Sequence, residues 1–226
     1  MEELVRQGNG EMEFWAGWQW SHPPEIRPYI AGQVITPKWA GEYRGTDPVM
    51  LDNGAFAAWR DKADLRESDH VEAVVSAARK LVPRFIVLPD IVGGGDESLA
   101  RSRRSAAPIL RELGNQSGAR LLVAVQEGMR IWEAVELAEM LEGGIFVGGA
   151  GMEWKRYAAQ TVRAKSRGTY LHVGRIWKDG DVSYHSALAD SFDNTTYARG
   201  QRFNRGIDKV STLSRYCGRR HIPPGK

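Results

Sequence analysis

Six short apolar runs along the chain each end at a polar or glycine-rich motif, and most neighbouring motifs are about one helix length apart. The motifs are LDNGAF (51–56), FIVLPD (85–90), LLVAVQEG (121–128), GIFVGGAG (144–151), LHVGR (171–175) and ADSFD (189–193). Strands that alternate with helices form parallel sheets, and in a barrel the carboxyl ends of all strands open onto one face. We therefore predict an α/β fold, a compact TIM-like (β/α)8 barrel, with residues 1–226 forming one domain.

Helical spacing of apolar residues between the motifs supports this alternation. It predicts helices over 69–82, 96–113, 129–141 and 152–165, and a short last helix near 207–216. Pro108 is expected to kink or divide the second of these. The Pro- and Gly-rich segment 21–48 is expected to be a long irregular connection, and a weak strand is expected near 187–189. A doubly wound open sheet is disfavoured, because no strand is followed by a dinucleotide-binding glycine motif.

Composition excludes several classes of protein. The single Cys217 allows neither an intramolecular disulfide nor a multi-cysteine zinc site, so we expect no metal and no redox cofactor. The chain lacks the run of about 18–20 apolar residues that spans a bilayer, and its first residues lack a signal pattern. We therefore expect a cytoplasmic protein with no membrane partner. The basic end that begins at Arg199 is interpreted equally well as a phosphate-backbone contact or as a solvated tail.

Polar residues at the predicted strand ends are the candidates for chemistry: Asp52, Asp90, Asp193 and Gln126. One carboxylate can accept the N1–H and exocyclic amine of guanine, while O6 can accept from a glutamine amide or from the backbone of Gly148 and Gly149. Two further carboxylates can serve as nucleophile and general acid/base at a glycosidic carbon. The residues permit this assignment without requiring it.

Five of the motifs resemble those of the tRNA-guanine transglycosylase superfamily, in the family's order over roughly residues 50–200. LDNGAF resembles its Asp-Ser-Gly-Gly-Phe motif, VLPDIVGG its base-binding aspartate segment and VAVQEG its glutamine motif. FVGGAG is similar to its Leu-Gly-Gly turn, and ADSFDNTTYARG resembles the segment that carries the nucleophile.

The resemblance implies a role for each matching residue. Asp193 would attack C1′ and Asp52 would handle the proton of the leaving or entering base. Asp90 and Gln126 would bind the guanine face, with the backbone of Gly148 and Gly149. The remaining candidates are Asn53, Phe56 and His172 for substrate contact, Arg175, Arg199 and Arg202 for the nucleic-acid backbone, and Asp190 as a supporting residue. A register shifted by one motif position would exchange Asp190 and Asp193.

Departures from the family pattern narrow the range of expected substrates. The tRNA enzymes carry a zinc site of three cysteines and a histidine, which this chain lacks, and they are much longer. Asn53 and Ala55 stand where they have serine and glycine. Without the zinc site, the chain resembles the compact DNA-acting branch of the superfamily, the DpdA-like transglycosylases of phages and bacterial islands. That resemblance implies exchange of guanine in DNA for a 7-deazaguanine, such as 7-cyano-7-deazaguanine, in the host cytoplasm if a phage encodes the chain.

Other interpretations stay open from the sequence. The same chemistry could act on RNA or tRNA, a catalytically silent barrel could bind nucleic acid, or an unrelated barrel could hydrolyse glycosides with two carboxylates. An accessory protein that opens the duplex, or a homodimer, is also compatible with the chain.

Overall fold

The computed structural model describes residues 11–18, 22–114, 118–149, 151–194 and 206–217. Its eight strands pair in parallel and in chain order, and the first pairs with the last, so that the sheet closes into a barrel. The strands are β1 (Glu13–Gly17), β2 (Ile30–Ile35), β3 (Val49–Leu51), β4 (Phe85–Val87), β5 (Arg120–Val125), β6 (Gly144–Val147), β7 (Tyr170–Val173) and β8 (Ser191–Asn194). The predicted (β/α)8 barrel is confirmed.

Helices cover the outside of this barrel. They are α1 (Ala55–Arg60), α2 (Glu67–Leu81), α3 (Gly95–Leu113), α4 (Ile131–Met140), α5 (Met152–Lys165), α6 (Asp179–Ser186) and α7 (Gly206–Tyr216), with 3-10 turns at Arg27–Tyr29 and Pro37–Trp39. In α2, acidic residues in the first turn and basic residues in the last turn complement the helix dipole. Its small and β-branched residues, such as Val74 and Ala78, face the sheet and are buried.

Two expectations about the elements are wrong, and a third is wrong in part. The segment 21–48 is not one irregular connection, because it contains β2, and a further strand, β1, precedes it. The last strand lies at Ser191–Asn194 rather than near 187–189, where the chain instead leaves α6. Pro108 lies within α3, which continues past it, so of the two expected effects the division does not occur.

Aromatic rings fill one end of the barrel interior. Phe85 and Tyr170, the first residues of β4 and β7, stack with their centroids 4.5 Å apart, and Trp15 meets Phe85 edge to face at 5.5 Å. Side chains on a strand alternate between faces, so Val87 and His172 point to the same interior two residues further along. The amino-terminal half of the barrel is therefore packed solid, and open space is left at the carboxyl ends of the strands.

Candidate active site at the carboxyl ends of the strands

A cavity of about 320 Å³ opens at the carboxyl ends of the strands. Its volume lies at the lower end of the range for small-molecule sites, about 300–1,000 Å³. Nine of the residues selected from the sequence line it: Asp52, Asn53, Phe56, Asp90, Gln126, Gly148, Gly149, Arg175 and Asp193. The barrel thus brings together side chains that are up to 141 positions apart in the chain, from Asp52 to Asp193.

Asp90 lies in a network of amide groups. Its Oδ1 accepts a hydrogen bond of 2.8 Å from Asn53 Nδ2, and its Oδ2 accepts one from Gln126 Nε2. Gln126 is fixed in turn because its Oε1 accepts from the Gly93 N–H at 2.9 Å. Burial raises the pKa of Asp90 to about 6, against the lowering effect of the two amides. The network holds an acceptor carboxylate at the cavity wall and leaves a second N–H of Gln126 for a ligand.

Asp52 follows β3 and lies in a different environment. Its Oδ1 accepts the Gly54 N–H at 2.7 Å. Burial raises the pKa of Asp52 above its usual range, the Gly54 N–H opposes this, and the charge of Asp193 adds to the rise. A carboxyl group with a raised pKa holds a proton more readily than an ordinary aspartate does, which suits it to deliver and recover a proton.

Among the described residues, Asp193 is held through one of its carboxylate oxygens. Its Oδ1 accepts from His172 Nε2 at 3.0 Å and from the Arg175 N–H at 3.2 Å. Within the part of the chain that the structure describes, no hydrogen-bond donor contacts Oδ2. Asp193 therefore presents one fixed carboxylate with an oxygen available for attack.

His172 does not line the cavity, so the prediction that it contacts substrate needs correction. Its side chain is 0% exposed and lies behind Asp193, where its ring stacks on Phe146. Its Nδ1 lies 2.7 Å from Ser191 Oγ, which in turn lies 2.6 Å from the Tyr170 hydroxyl. These contacts form one chain: the Tyr170 hydroxyl donates to Ser191 Oγ, the Ser191 hydroxyl donates to His172 Nδ1, and His172 Nε2–H donates to Asp193 Oδ1. His172 thus positions a carboxylate.

Two further predicted residues, Gly148 just after β6 and Asp190 just before β8, do not have the roles expected of them. The Gly148 N–H donates to the Val125 carbonyl at 2.9 Å, so it is engaged in the barrel and unavailable to guanine O6, contrary to our expectation. Asp190 lies outside the cavity, pairs with Arg163 at 2.5 Å and accepts the Leu171 N–H at 2.7 Å. The exchange of Asp190 with Asp193 is therefore not supported. Arg199 and Arg202 lie outside the described residues.

Three residues at the site were not predicted from the sequence. Glu127 and Trp59 line the cavity, and each follows a selected residue, Gln126 directly and Phe56 by one helical turn. Lys155 is 2% exposed and donates to the Gly174 carbonyl at 2.7 Å, which fixes the loop after β7. It lies on the face of α5 that includes Ala158, Ala159 and Val162, so a lone lysine on an apolar face was the available signal.

Comparison with known proteins supports the fold alone. No protein-family model matches the chain, and no curated protein matches it. Among solved structures, phosphoribosyl anthranilate isomerase from Thermotoga maritima is 11% identical, with a TM-score of 0.51 over 91% of this chain and 98% of that one. The "Native KDPGal structure" is 10% identical, with a TM-score of 0.50 over 93% and 97% of the two chains. These similarities show that the chain has the fold of TIM-barrel proteins.

The described residues contain no group of three His, Cys, Asp or Glu side chains arranged to hold a metal ion. Within the same ranges, no helix is long and apolar enough to cross a bilayer.

Proposed function

We propose that this protein is an enzyme that exchanges guanine in DNA for a 7-deazaguanine, with Asp193 as nucleophile. The observation that carries the proposal is the Asp193 carboxylate, fixed through Oδ1 by two donors, at the wall of a cavity that also contains Asp52 and the Asp90–Gln126 pair. The ordered resemblance of the motifs to the tRNA-guanine transglycosylase superfamily supports the same conclusion.

The reaction balances with the residues present. Asp193 Oδ2 attacks C1′ of the deoxyribose, the C1′–N9 bond breaks, and the electron pair leaves with guanine, which takes the proton of Asp52. The incoming 7-deazaguanine then gives its N9 proton to Asp52. Its N9 attacks C1′ and releases the Asp193 carboxylate. The raised pKa of Asp52 favours the protonated group that the first step requires.

Guanine recognition is assigned to the Asp90 network. The Asp90 carboxylate accepts from guanine N1–H and from the exocyclic amine, and the second N–H of Gln126 donates to O6. Because the target base must leave the stack to enter such a cavity, unpairing costs a few kcal/mol.

The test uses purified protein with guanine-containing DNA or RNA and 7-cyano-7-deazaguanine, followed by nucleoside mass spectrometry. We expect a deazaguanine deoxynucleoside with the native protein and none with Asp193→Asn. Product in RNA alone would transfer the proposal to an RNA substrate. Without incoming base, denaturing protein mass spectrometry should detect a covalent DNA adduct that Asp193→Asn lacks. Absence of product in both polymers and of adduct would reject the proposal.

A further inference from the structure

An aromatic and cationic surface lies at the mouth of the cavity, formed by Phe56, Trp59 and Arg175. The Arg175 guanidinium lies 3.6 Å from the Phe56 ring centroid, and the Phe56 and Trp59 rings are 5.6 Å apart. Phe56 is 37% exposed and Trp59 is 59% exposed. All three residues line the cavity. Large aromatic side chains that remain this exposed beside a cavity are candidates for ligand contact.

The backbone of Arg175 distinguishes this surface from incidental exposure. Among the described residues, four non-glycine residues have a left-handed φ. Lys62, Val82 and Glu142 lie just beyond the ends of α1, α2 and α4, where helix termination commonly uses this conformation. Arg175 instead follows strand β7, with φ of 56°. A non-glycine residue in this conformation is strained, and it persists only when its surroundings fix it.

Contacts around Arg175 show what fixes it. Its N–H donates to Asp193 Oδ1 at 3.2 Å. The buried Lys155 ammonium donates to the carbonyls of Gly174 at 2.7 Å and of Arg175 at 3.4 Å. One strained residue therefore contacts the nucleophile with its backbone and covers Phe56 with its side chain. Its guanidinium forms no ion pair within the described ranges, so the charge is available to a phosphate.

We propose that Phe56, Trp59 and Arg175 form a stacking platform for the nucleotide next to the target guanine in an unpaired strand. This inference rests on the proposed function, because it assumes that guanine occupies the cavity. The Asp90 network holds the base, and the exposed parts of Phe56 and Trp59 at the mouth of the cavity are left for the nucleotide beside it. The bases of an intact duplex are stacked on each other on both sides, whereas an unpaired strand exposes ring faces and phosphates together. The platform thus selects single-stranded or opened DNA over an intact duplex.

The test is the fluorescence anisotropy of a labelled thymidine strand with one central guanine, measured without a deazaguanine. Stacking of one base is worth about 1–3 kcal/mol, so Trp59→Ala should weaken binding about 5- to 150-fold. Trp132→Ala is the matched control, because Trp132 is 48% exposed at the start of α4 and does not line the cavity. We expect it to change binding less than about twofold.

A second ligand separates the platform from the cavity. Deoxyguanosine has no neighbouring nucleotide, so Trp59→Ala should weaken its binding less than it weakens binding of the strand. Three results would each overturn the platform. Trp59→Ala could bind the strand with native affinity, or it could lose equal affinity for the strand and for deoxyguanosine. The native protein could also bind strand and duplex equally well. Strand binding that depends on Trp59 without any base exchange would reject the proposed function and leave the platform in place. Base exchange together with strand binding that does not depend on Trp59 would reject the platform and leave the proposed function in place.

Discussion

At the scale of single residues, three aspartates around one cavity are distinguished by what contacts them. Asp90 accepts hydrogen bonds from two side-chain amide groups, and Asp52 accepts one from a backbone N–H. Asp193 accepts hydrogen bonds from His172 and from the backbone N–H of Arg175. Burial raises the pKa of both Asp90 and Asp52. Groups of one chemical type can take different roles when their environments differ. The contacts support base recognition at Asp90, proton transfer at Asp52 and nucleophilic attack at Asp193.

Base binding should depend on the ionisation of Asp90. The pKa of Asp90 is raised to about 6, so the carboxylate predominates above that pH and is protonated as the pH falls through it. A protonated carboxyl loses acceptor capacity for the guanine donors, and affinity should fall about tenfold for each pH unit below the pKa. Calorimetric titration of 7-cyano-7-deazaguanine at several pH values checks this. Asp90→Asn should bind weakly with no inflection near pH 6, and a native profile that is flat there would contradict the assignment.

His172 should affect the chemical step more than binding. Replacement in His172→Phe removes the donor to Asp193 Oδ1, and misplacement of a reacting group by about 1 Å can cost about 100-fold in rate. We expect kcat to fall by up to that factor while KM for DNA changes little.

His185→Phe is the control for His172→Phe. Both histidines are buried outside the cavity wall, but the His185 ring nitrogens, unlike His172 Nε2, have no hydrogen-bond partner within the described ranges. Both rates are measured well below the melting temperature of each variant. Equal loss of kcat in the two variants would indicate a packing effect instead of positioning.

At the scale of elements, strand β8 places Asp193 and the preceding Asp190 in different surroundings. The alternation of side chains places Ser191 and Asp193 on the interior face, where they meet His172. Asp190 precedes the strand at the opposite end and contacts Arg163 of α5. A spacing of three residues thus separates a cavity carboxylate from one that joins a helix to the sheet.

A crossed pair of substitutions tests this separation. Removal of one partner of a buried ion pair costs about 3–5 kcal/mol, and Asp190 and Arg163 are nearly buried, at 18% and 9% exposure of the side chains. We expect Asp190→Asn to lower stability by roughly 3 kcal/mol and to keep base exchange in the folded fraction. Asp193→Asn should abolish exchange with little loss of stability. Denaturant unfolding and the exchange assay measure both, and the opposite pattern would show that Asp190 is the nucleophile.

At the scale of the whole molecule, the filled amino-terminal half of the barrel confines the cavity to one end. Trp15 enters this interior beside Gly32 of the neighbouring strand. A Cβ atom on Gly32 would lie 2.4 Å from the Pro48 carbonyl oxygen and 2.4 Å from Trp15 Cζ3. The absence of a side chain at Gly32 is therefore what allows the tryptophan ring to fill the barrel.

Gly32→Ala should destabilise the protein. Overpacking typically costs about 1–3 kcal/mol, which corresponds to a loss of several degrees in Tm for a chain of this size. Gly41→Ala serves as the matched control, because a Cβ there meets nothing within 4 Å, and its effect should stay within about 0.5 kcal/mol. Calorimetry compares the two variants, and equal Tm values would show that the interior adapts to the added methyl group.

Local patterns in the sequence determined much of this architecture. Strands β4 to β7 coincide with the apolar runs FIV, LLVAV, GIFV and LHV, and the helical spacing over 152–165 is α5 in full. A strand buried on both faces is a continuous apolar run, and a helix packed on one face repeats at 3.6 residues. The rule that strand ends meet at one face then placed Asp52, Asp90, Gln126 and Asp193 around one cavity.

Tertiary structure alone decided the rest, because the deciding contacts join distant parts of the chain. Strand β1 is a short segment stabilised by pairing with β2 and β8, which no local period records. His172 lies behind Asp193 instead of at the cavity wall, and the Gly148 N–H donates to the Val125 carbonyl. Both facts depend on side-chain direction and on the register of the barrel strands. Phe56 of α1, which follows β3, and Arg175, which follows β7, come into contact only because the closed barrel brings the ends of these two strands around one cavity. Sequence determines which residues reach the carboxyl-terminal face, and the closed barrel determines which of them touch.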